Sequence, residues 1–513
     1  MEKRWGKMKL IIVILFFGII FRSLIVANGN FLFNMDNARD AVDVREMIVL
    51  KNPRLIGPGT ALEGVYNGPA WYYLLALPFF ISGGDPYAAI VLQIIFWAVG
   101  GFFLLKMVSA WSNWLVLPIG FIWIASDYLG LTTQYAFNPN PVTLLMPLFI
   151  YLLVLYLKSG KLIYIASTFF IGGLFFNFEM NFGIFTPLII LMSIILTGKT
   201  NFLKSRNFWI GSLFFVICLF PQLVFDIRNN FVIIKALTDH IMDSKDGALS
   251  ISRHLETTYN KFFEVFSATM MNHRNFSFIL ILLSIPALIK YIKQKKKDYV
   301  AAVAFISILL PFIIYTFFSS ISVNPWHLGA ESVSAVILTA FLLISIWKIN
   351  FFGKIISLVL YFSILVFAFS NVFKFFTVDI KKENLDPSLF KNEIAAIDFV
   401  YQYAKGENFK VYTYMPSVYD YPYQYLIWWH GQKKYGYIPY EYAYLPDRPE
   451  YIKQKEKFEG KKDNFSGLVF LIKEPDRNYT RSGWEGELLK FKPLEKHMVG
   501  RIEIEVREEI ILK

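Results

Sequence analysis

The chain has 513 residues, of which 55% are hydrophobic, 18% aromatic and only 18% charged, against roughly 25% charged in soluble domains. With a mean hydropathy of +0.45, this describes a polytopic membrane protein and excludes a soluble enzyme, a disordered chain and a small disulfide scaffold. The net charge of +12 is accounted for by basic cytoplasmic loops and does not require a nucleic-acid partner.

The start, MEKRWGKMK followed by an apolar run over 10–27, reads as an uncleaved first span with its N-terminus in the cytoplasm. Further apolar runs of spanning length fall at 87–105, 113–129, 141–157, 162–177, 182–197, 208–225, 276–291, 299–319, 329–347 and 354–376. That makes about eleven spans by the length criterion. The segment 69–81 is shorter, and loop charge decides its reading. If it does not cross, the Lys158/Lys161 turn, the Lys199/Lys204/Arg206 loop, the basic run 293–297 and the Lys348/Lys354 turn all lie inside with the N-terminus. The opposite short loops, near 130–140, 178–181 and 320–328, then carry no Lys or Arg, as the positive-inside rule requires. Segment 69–81 is therefore expected to lie at the outer interface. Two long loops, 28–68 and 226–275, and the whole tail after about 376 share that outer face. The sole cysteine, Cys218, sits in an apolar run as inert packing.

The tail, 377–513, is charged and rich in Tyr. Residues 389–404 have helical periodicity, 409–414 and 468–473 read as buried strands, and 501–506 alternates as a half-exposed strand. The fold expected is mainly α: a membrane helix bundle over 1–376 with interfacial helices on its outer face, and a small outer α/β domain over 377–513.

The first outer loop is the densest polar cluster beside the membrane, with Asn34, Asp36, Asn37, Arg39, Asp40, Asp43, Arg45 and Glu46. Asp36 follows the first span closely, so it sits near the membrane surface, where a carboxylate can take a proton from a hydroxyl nucleophile. The same pattern also suits a solvated helix start, with Asp36 or Asn34 as N-cap. Gly57-Pro58-Gly59 forms a turn, and Tyr66-Asn67-Gly68-Pro69 breaks the chain before the interfacial segment.

DNARDAVDVREM, then LIGPGT and GVYNGPAWYYLLALP, resembles the membrane glycosyltransferases of the C superfamily, in the protein O-mannosyltransferase and aminoarabinose-transferase group. FNPNPVTLLMPLF over 137–149 and FPQLVFDIRNNF over 220–231 are similar to further segments of that group, as is the Tyr-rich stretch 407–437. The resemblance implies transfer of a sugar, hexosyl or pentosyl, from a polyprenyl-phosphate donor to a lipid, glycan or protein acceptor at the outer face of the cytoplasmic membrane. It implies that Asp36 is the general base of an inverting displacement. Around it, Arg39, Asp40, Tyr66 and Asn67 become candidate substrate contacts.

The sequence departs from the family where a second outer-loop carboxylate is often found. Asn138 or Asn140 stands there, and Asn binds a sugar hydroxyl without titrating. Asp127, a few residues earlier, is a substitute. Glu179 in NFEMNFG is a second catalytic candidate, because a carboxylate at a span end is costly unless it lines a polar cavity or is paired. Arg22, the sole charge in the first apolar run, and Arg228 are candidates for the leaving phosphate; interfacial snorkelling is the alternative for both. His327, in VNPWHLG, is a candidate for donor or acceptor binding. No metal motif is present; Asp36, Asp40 and Glu46 leave room for a divalent cation, and the resemblance implies that no cofactor is obligatory. A lipid-linked sugar flippase and a non-catalytic envelope-assembly subunit are the alternatives. Near-absence of mid-membrane charge weighs against the first. Loss of the second carboxylate favours the other.

Overall fold

The computed structural model describes residues 2–243, 251–293, 298–317, 323–417, 419–446, 451–460, 465–476 and 479–509. Most of the basic run 293–297 and part of the 320–328 loop lie outside the described residues.

The bundle begins with α1 (Glu2–Ile25), α2 (Met35–Val49), α3 (Ala70–Ser82), α4 (Tyr87–Trp111), α5 (Val116–Ala125), α6 (Asp127–Gln134), α7 (Asn140–Ser159) and α8 (Leu162–Phe178). It continues with α9 (Met180–Gly183), α10 (Thr186–Leu196), α11 (Arg206–Arg228), α12 (Val232–Asp243), α13 (Ile251–Thr269), α14 (Arg274–Lys293), α15 (Tyr299–Phe317), α16 (Gly329–Trp347) and α17 (Phe351–Thr377). Among the described residues, seven helices are long and apolar enough to cross a membrane, and two bent pairs raise the number to as many as nine. Over the described residues, the runs expected to span are mostly helical, with α8 and α10 short of the full length. Helix α3 has 13 residues, about 20 Å at 1.5 Å per residue, too short for a hydrocarbon core of about 30 Å.

Two departures from the expected layout matter. The run 113–129 is not one helix: it bends by 52° between α5 and α6. Ser126 is extended there and caps α6 by accepting the Leu129 N–H. The second long loop is mostly helical, because α12 and α13 occupy it, and α13 turns into α14 through 111°.

Close packing holds the bundle together. The Trp97 indole donates to Trp123 O at 3.1 Å, and the Trp123 indole returns a bond to Trp97 O at 3.0 Å. Gly100 lets α4 approach α7: a Cβ there would stand 1.8 Å from Leu144 O. Small residues at helix contacts serve this purpose in membranes, where apolar burial alone gives little drive.

The tail adds α18 (Phe390–Ala404), α19 (Tyr421–His430) and α20 (Arg481–Gly486), with β1 (Asn408–Tyr414), β2 (Glu441–Ala443), β3 (Phe465–Lys473), β4 (Lys492–Val499) and β5 (Ile502–Glu508). The sheet order is β2-β1-β3-β5-β4. Strand β1 runs parallel to both neighbours, while β5 is antiparallel to β3 and β4. The polar face of β5, expected to be half exposed, is partly covered: Glu505 is buried and ion-paired to buried Lys473.

The tail clamps onto the segment between α1 and α2 and onto the end of α3. Leu32 and Leu389 form an antiparallel bridge, Phe33 N–H donates to Ser388 O at 2.9 Å, and Phe390 N–H donates to Phe31 O at 3.0 Å. Phe31 stacks on Phe390 at 4.8 Å. Tyr425 of α19 donates to Gly84 O at 2.6 Å, and Lys433 pairs with Asp85 at 3.2 Å.

Candidate active site

Helix α2 starts as the polar pattern requires. Asn34 is its N-cap, and its side chain accepts the Asp36 N–H at 3.1 Å. Asp36 therefore sits in the first turn, with its carboxylate aimed away from the cap. Its side chain is 32% exposed. One oxygen receives Arg39 Nη1 at 3.3 Å and the other receives the Tyr135 hydroxyl at 3.1 Å. The acid is thus oriented from two sides and still open to solvent.

Tyr135 comes from the chain between α6 and α7. Asn140 donates to its carbonyl at 2.5 Å and to Thr132 O at 3.3 Å. Asn138 donates to Phe178 O at 2.6 Å. Both asparagines are buried, and their amide nitrogens donate to backbone carbonyls, which holds the loop in shape. Burial, and then the charge of Asp36, push the Tyr135 phenol well above its usual range, which keeps it a donor. Nothing in composition or spacing singled Tyr135 out. The available signal was an aromatic placed just before Asn-Pro-Asn-Pro.

Four residues along α2 from Asp36, Asp40 is fully buried. One oxygen accepts Arg39 Nη2 at 2.9 Å and Nε at 3.1 Å, and the other accepts the Trp71 indole at 2.9 Å. Asp40 was a candidate substrate contact, but its oxygens are committed within the protein. It pins α2 to α3 and holds Arg39 beside Asp36. Burial outweighs the Arg39 charge and raises its carboxyl to about 6. One turn further on, Arg54 binds Asp43 at 2.8 Å and Glu46 at 2.6 Å, and the Tyr72 hydroxyl donates to Asp43 at 2.9 Å. Asp36, Asp40 and Glu46 consequently each face an arginine rather than converging on one point. The acids close enough to share an ion among the described residues are Glu485, Glu503 and Glu505, and these already surround Lys473 and Arg481.

A second polar cluster lies where α8 meets α9. Glu179 is buried and caps α9 through the Asn181 N–H at 2.9 Å. Asn181 meets His327 Nε2 at 3.1 Å, and the Tyr315 hydroxyl donates to Asn181 O at 3.2 Å. Glu331 is buried nearby, with no hydrogen-bond partner for either oxygen among the described residues. Asn67 joins this break to the first loop by accepting the Met180 N–H at 3.2 Å. Tyr66 adds its carbonyl, which accepts from Gln222 at 2.9 Å, and an edge contact with Phe225. An aromatic row links the two clusters: Tyr135 stacks on Phe137 at 4.9 Å, and Phe137 meets Trp326 edge-on at 6.1 Å beside His327.

The remaining candidates lie apart from Asp36. Arg22 is buried, and its Nη2 donates to Ile124 O at 2.5 Å, with Ser126 O and Trp123 O at 3.4 and 3.5 Å. It does not snorkel to the interface; it donates to carbonyls freed at the α5–α6 break. Asp127 is bound by Asn272, and by Asn371 at 3.2 Å, so it ties α6 to the α13–α14 bend and to α17. Arg228 is exposed at the end of α11.

No family model matches the chain, and no curated protein is similar to it at a significant level. Solved structures are similar over nearly its full length. The chain superposes on ArnT from Cupriavidus metallidurans in the apo state with a TM-score of 0.57 at 11% identity, covering 98% of each chain. With the same protein bound to undecaprenyl phosphate the TM-score is 0.58 at 12% identity, again over 98% of each chain. From its first span to its last strand, the chain therefore has the fold of ArnT.

Proposed function

We propose that this protein transfers a sugar from a polyprenyl-phosphate donor to an acceptor hydroxyl at the outer face of the cytoplasmic membrane, with the N-terminus inside and the tail outside. The observation that carries the reading is Asp36: a half-open carboxylate at the outer end of the bundle, held by Tyr135 and Arg39 on a fold shared with a protein that binds undecaprenyl phosphate. In the reaction, Asp36 takes the acceptor proton as the acceptor oxygen attacks the anomeric carbon. The bond from that carbon to the phosphate oxygen breaks, and polyprenyl phosphate leaves with inversion. Arg228, exposed at the outer end of α11, is the candidate to meet the phosphate. Glu179 and His327 lie across the aromatic row, where they are candidates for holding the donor sugar. No metal or other cofactor is part of this proposal.

The test is transfer of labelled sugar from a panel of polyprenyl-phosphate sugars by the protein in native-like membranes. Asp36→Asn, expressed to the same level, should lose more than about 100-fold in rate, the scale of a lost general base. Transfer that survives in the variant refutes the assignment of the base. Absence of transfer by the wild type with every donor refutes the transferase reading in favour of a flippase or scaffold.

A further inference from the structure

The tail contains a cleft of about 620 Å³ that the site above does not use. Tyr440, Tyr451 and Phe491 line it, with Lys410, Lys455 and Glu441 among its polar groups. Its charges are largely balanced in place. Lys410 pairs with Glu509 at 2.5 Å and Lys455 with Glu459 at 3.1 Å, while Glu441 accepts the Tyr412 hydroxyl at 3.0 Å. A cleft meant for a polyanion would carry surplus cations, and an apolar tail would meet no such ring of charge. Tyr440 is stacked on Phe465 and Phe491 is buried against Tyr412, so the half-buried Tyr440 and Tyr451 offer ring edges beside paired ammonium and carboxylate groups; such a lining suits a neutral, hydroxyl-rich ligand, whose hydroxyls the charged groups bind while the rings pack beside its C–H groups.

A chain of contacts also leads from the cleft toward α2. The Tyr451 hydroxyl accepts the Asp420 N–H at 3.2 Å, and its ring meets Tyr419 at 5.1 Å and Tyr421 at 5.0 Å. Tyr421, at the start of α19, feels the charges of Asp43 and Arg39 on α2. Gln424, at the edge of the cleft, accepts Arg45 Nη1 of α2 on its carbonyl at 3.2 Å. A row of tyrosines therefore runs from the cleft to the helix that carries Asp36.

We infer that this cleft binds a neutral oligosaccharide, the acceptor chain, and that the tyrosine row leads its growing end to Asp36. The inference rests on the transferase reading for the word acceptor, but the binding itself does not depend on turnover.

The experiment uses the full-length protein in lipid nanodiscs, as wild type and as Asp36→Asn. Neutral oligomers of hexose and N-acetylhexosamine, an acidic oligosaccharide, and neutral and acidic peptides serve as probes in direct binding measurements. Neutral oligomers should bind both proteins, and the pair Tyr440→Ala with Tyr451→Ala should weaken binding at least tenfold. Lys490→Glu, an exposed change at the rim that disturbs no core, should weaken it measurably too. Retention of peptides or the acidic glycan in place of neutral oligomers overturns the inference, as does binding that none of these substitutions changes. Neutral-oligomer binding without sugar transfer from any donor supports the cleft while removing the transferase reading. Transfer unaffected by all three substitutions removes the cleft as the acceptor site while leaving that reading intact.

Discussion

Tyr135 and Asp40 act on the same small volume from opposite sides, and each leaves its own kinetic trace. Tyr135→Phe removes one of two donors to Asp36 and leaves the packing on Phe137 in place. A charge-assisted bond of this kind contributes on the order of 1.5–3 kcal/mol, so the variant should turn over about 10-fold more slowly at saturating donor, with the donor KM nearly unchanged. Asp40 sets a pH dependence. Its carboxyl titrates at about 6, so above that pH it is charged and holds Arg39 against Asp36. As pH falls through 6 it becomes neutral, Arg39 loses a counter-charge, and the rate should fall; Asp40→Asn should flatten that limb of the profile. The effect on stability has the opposite sense. A carboxyl with a raised folded-state value favours the folded protein fully below the ordinary carboxylate range and loses that contribution as pH rises through 6. The sequence marked Asp36, Arg39 and Asp40 as one cluster. It did not distinguish the open acid from the buried one, because that depends on Trp71 arriving from another helix.

Breaks between helices, rather than the helices themselves, build the end of the bundle that carries Asp36. Hydropathy located the apolar runs because each is an unbroken stretch of helix-length composition. It missed the α5–α6 break, where Ser126 in place of a better helix former opens the chain and Arg22 supplies the missing donors. Arg22 looked like a lone interfacial charge because its partners lie about a hundred residues away in sequence. The α8–α9 break depends on a similarly tight contact. A Cβ on Gly68 would stand 1.9 Å from Asn177 Oδ1, and the Asn177 amide is engaged with Gly173 O and Cys218 O. Gly68→Ala must push that side chain away, at a cost of about 1–3 kcal/mol for overpacking. The expected result is a lower melting temperature in detergent and poor recovery of folded protein. Adding Asn177→Ala should restore part of the loss, since it removes the atoms in collision.

At the scale of the whole molecule, the tail is joined to α2 by a cation whose bonds among the described residues run to a carbonyl and to aromatic rings. Arg45 is buried, donates to Gln424 O, and stands 3.8 Å from the centre of the Phe458 ring, with Trp428 beside it at 5.3 Å. Arg45→Ala should loosen the tail without unfolding the bundle. Limited proteolysis should then cut within the tail at protease levels the wild type resists, and transfer should drop about tenfold or more while binding of the donor lipid persists. Periodicity made α18, β1, β3 and β5 legible in the tail, since each buries a regular face. Strands β2 and β4 were not. The first has only three residues, and the second is a mostly exposed edge carrying Lys492, Pro493 and Lys496, chemistry that discourages further pairing. The docking of the tail was not legible either, because aromatic residues suit a core, a membrane surface and a sugar equally well.

The main-chain clasp between Phe31–Phe33 and Ser388–Phe390 has a consequence for how the protein is born. The segment leading into the Asp36 helix emerges early from the ribosome, yet its partner strand emerges more than 350 residues later. Until then the acid sits on a loop with one side of its clasp missing. At ordinary elongation speeds of about 5–20 residues per second, the nascent chain spends tens of seconds in that incomplete form. On the transferase reading, an elongating chain whose tail has not yet appeared lacks this half of the clasp, and so has no assembled site with which to squander activated donor on water.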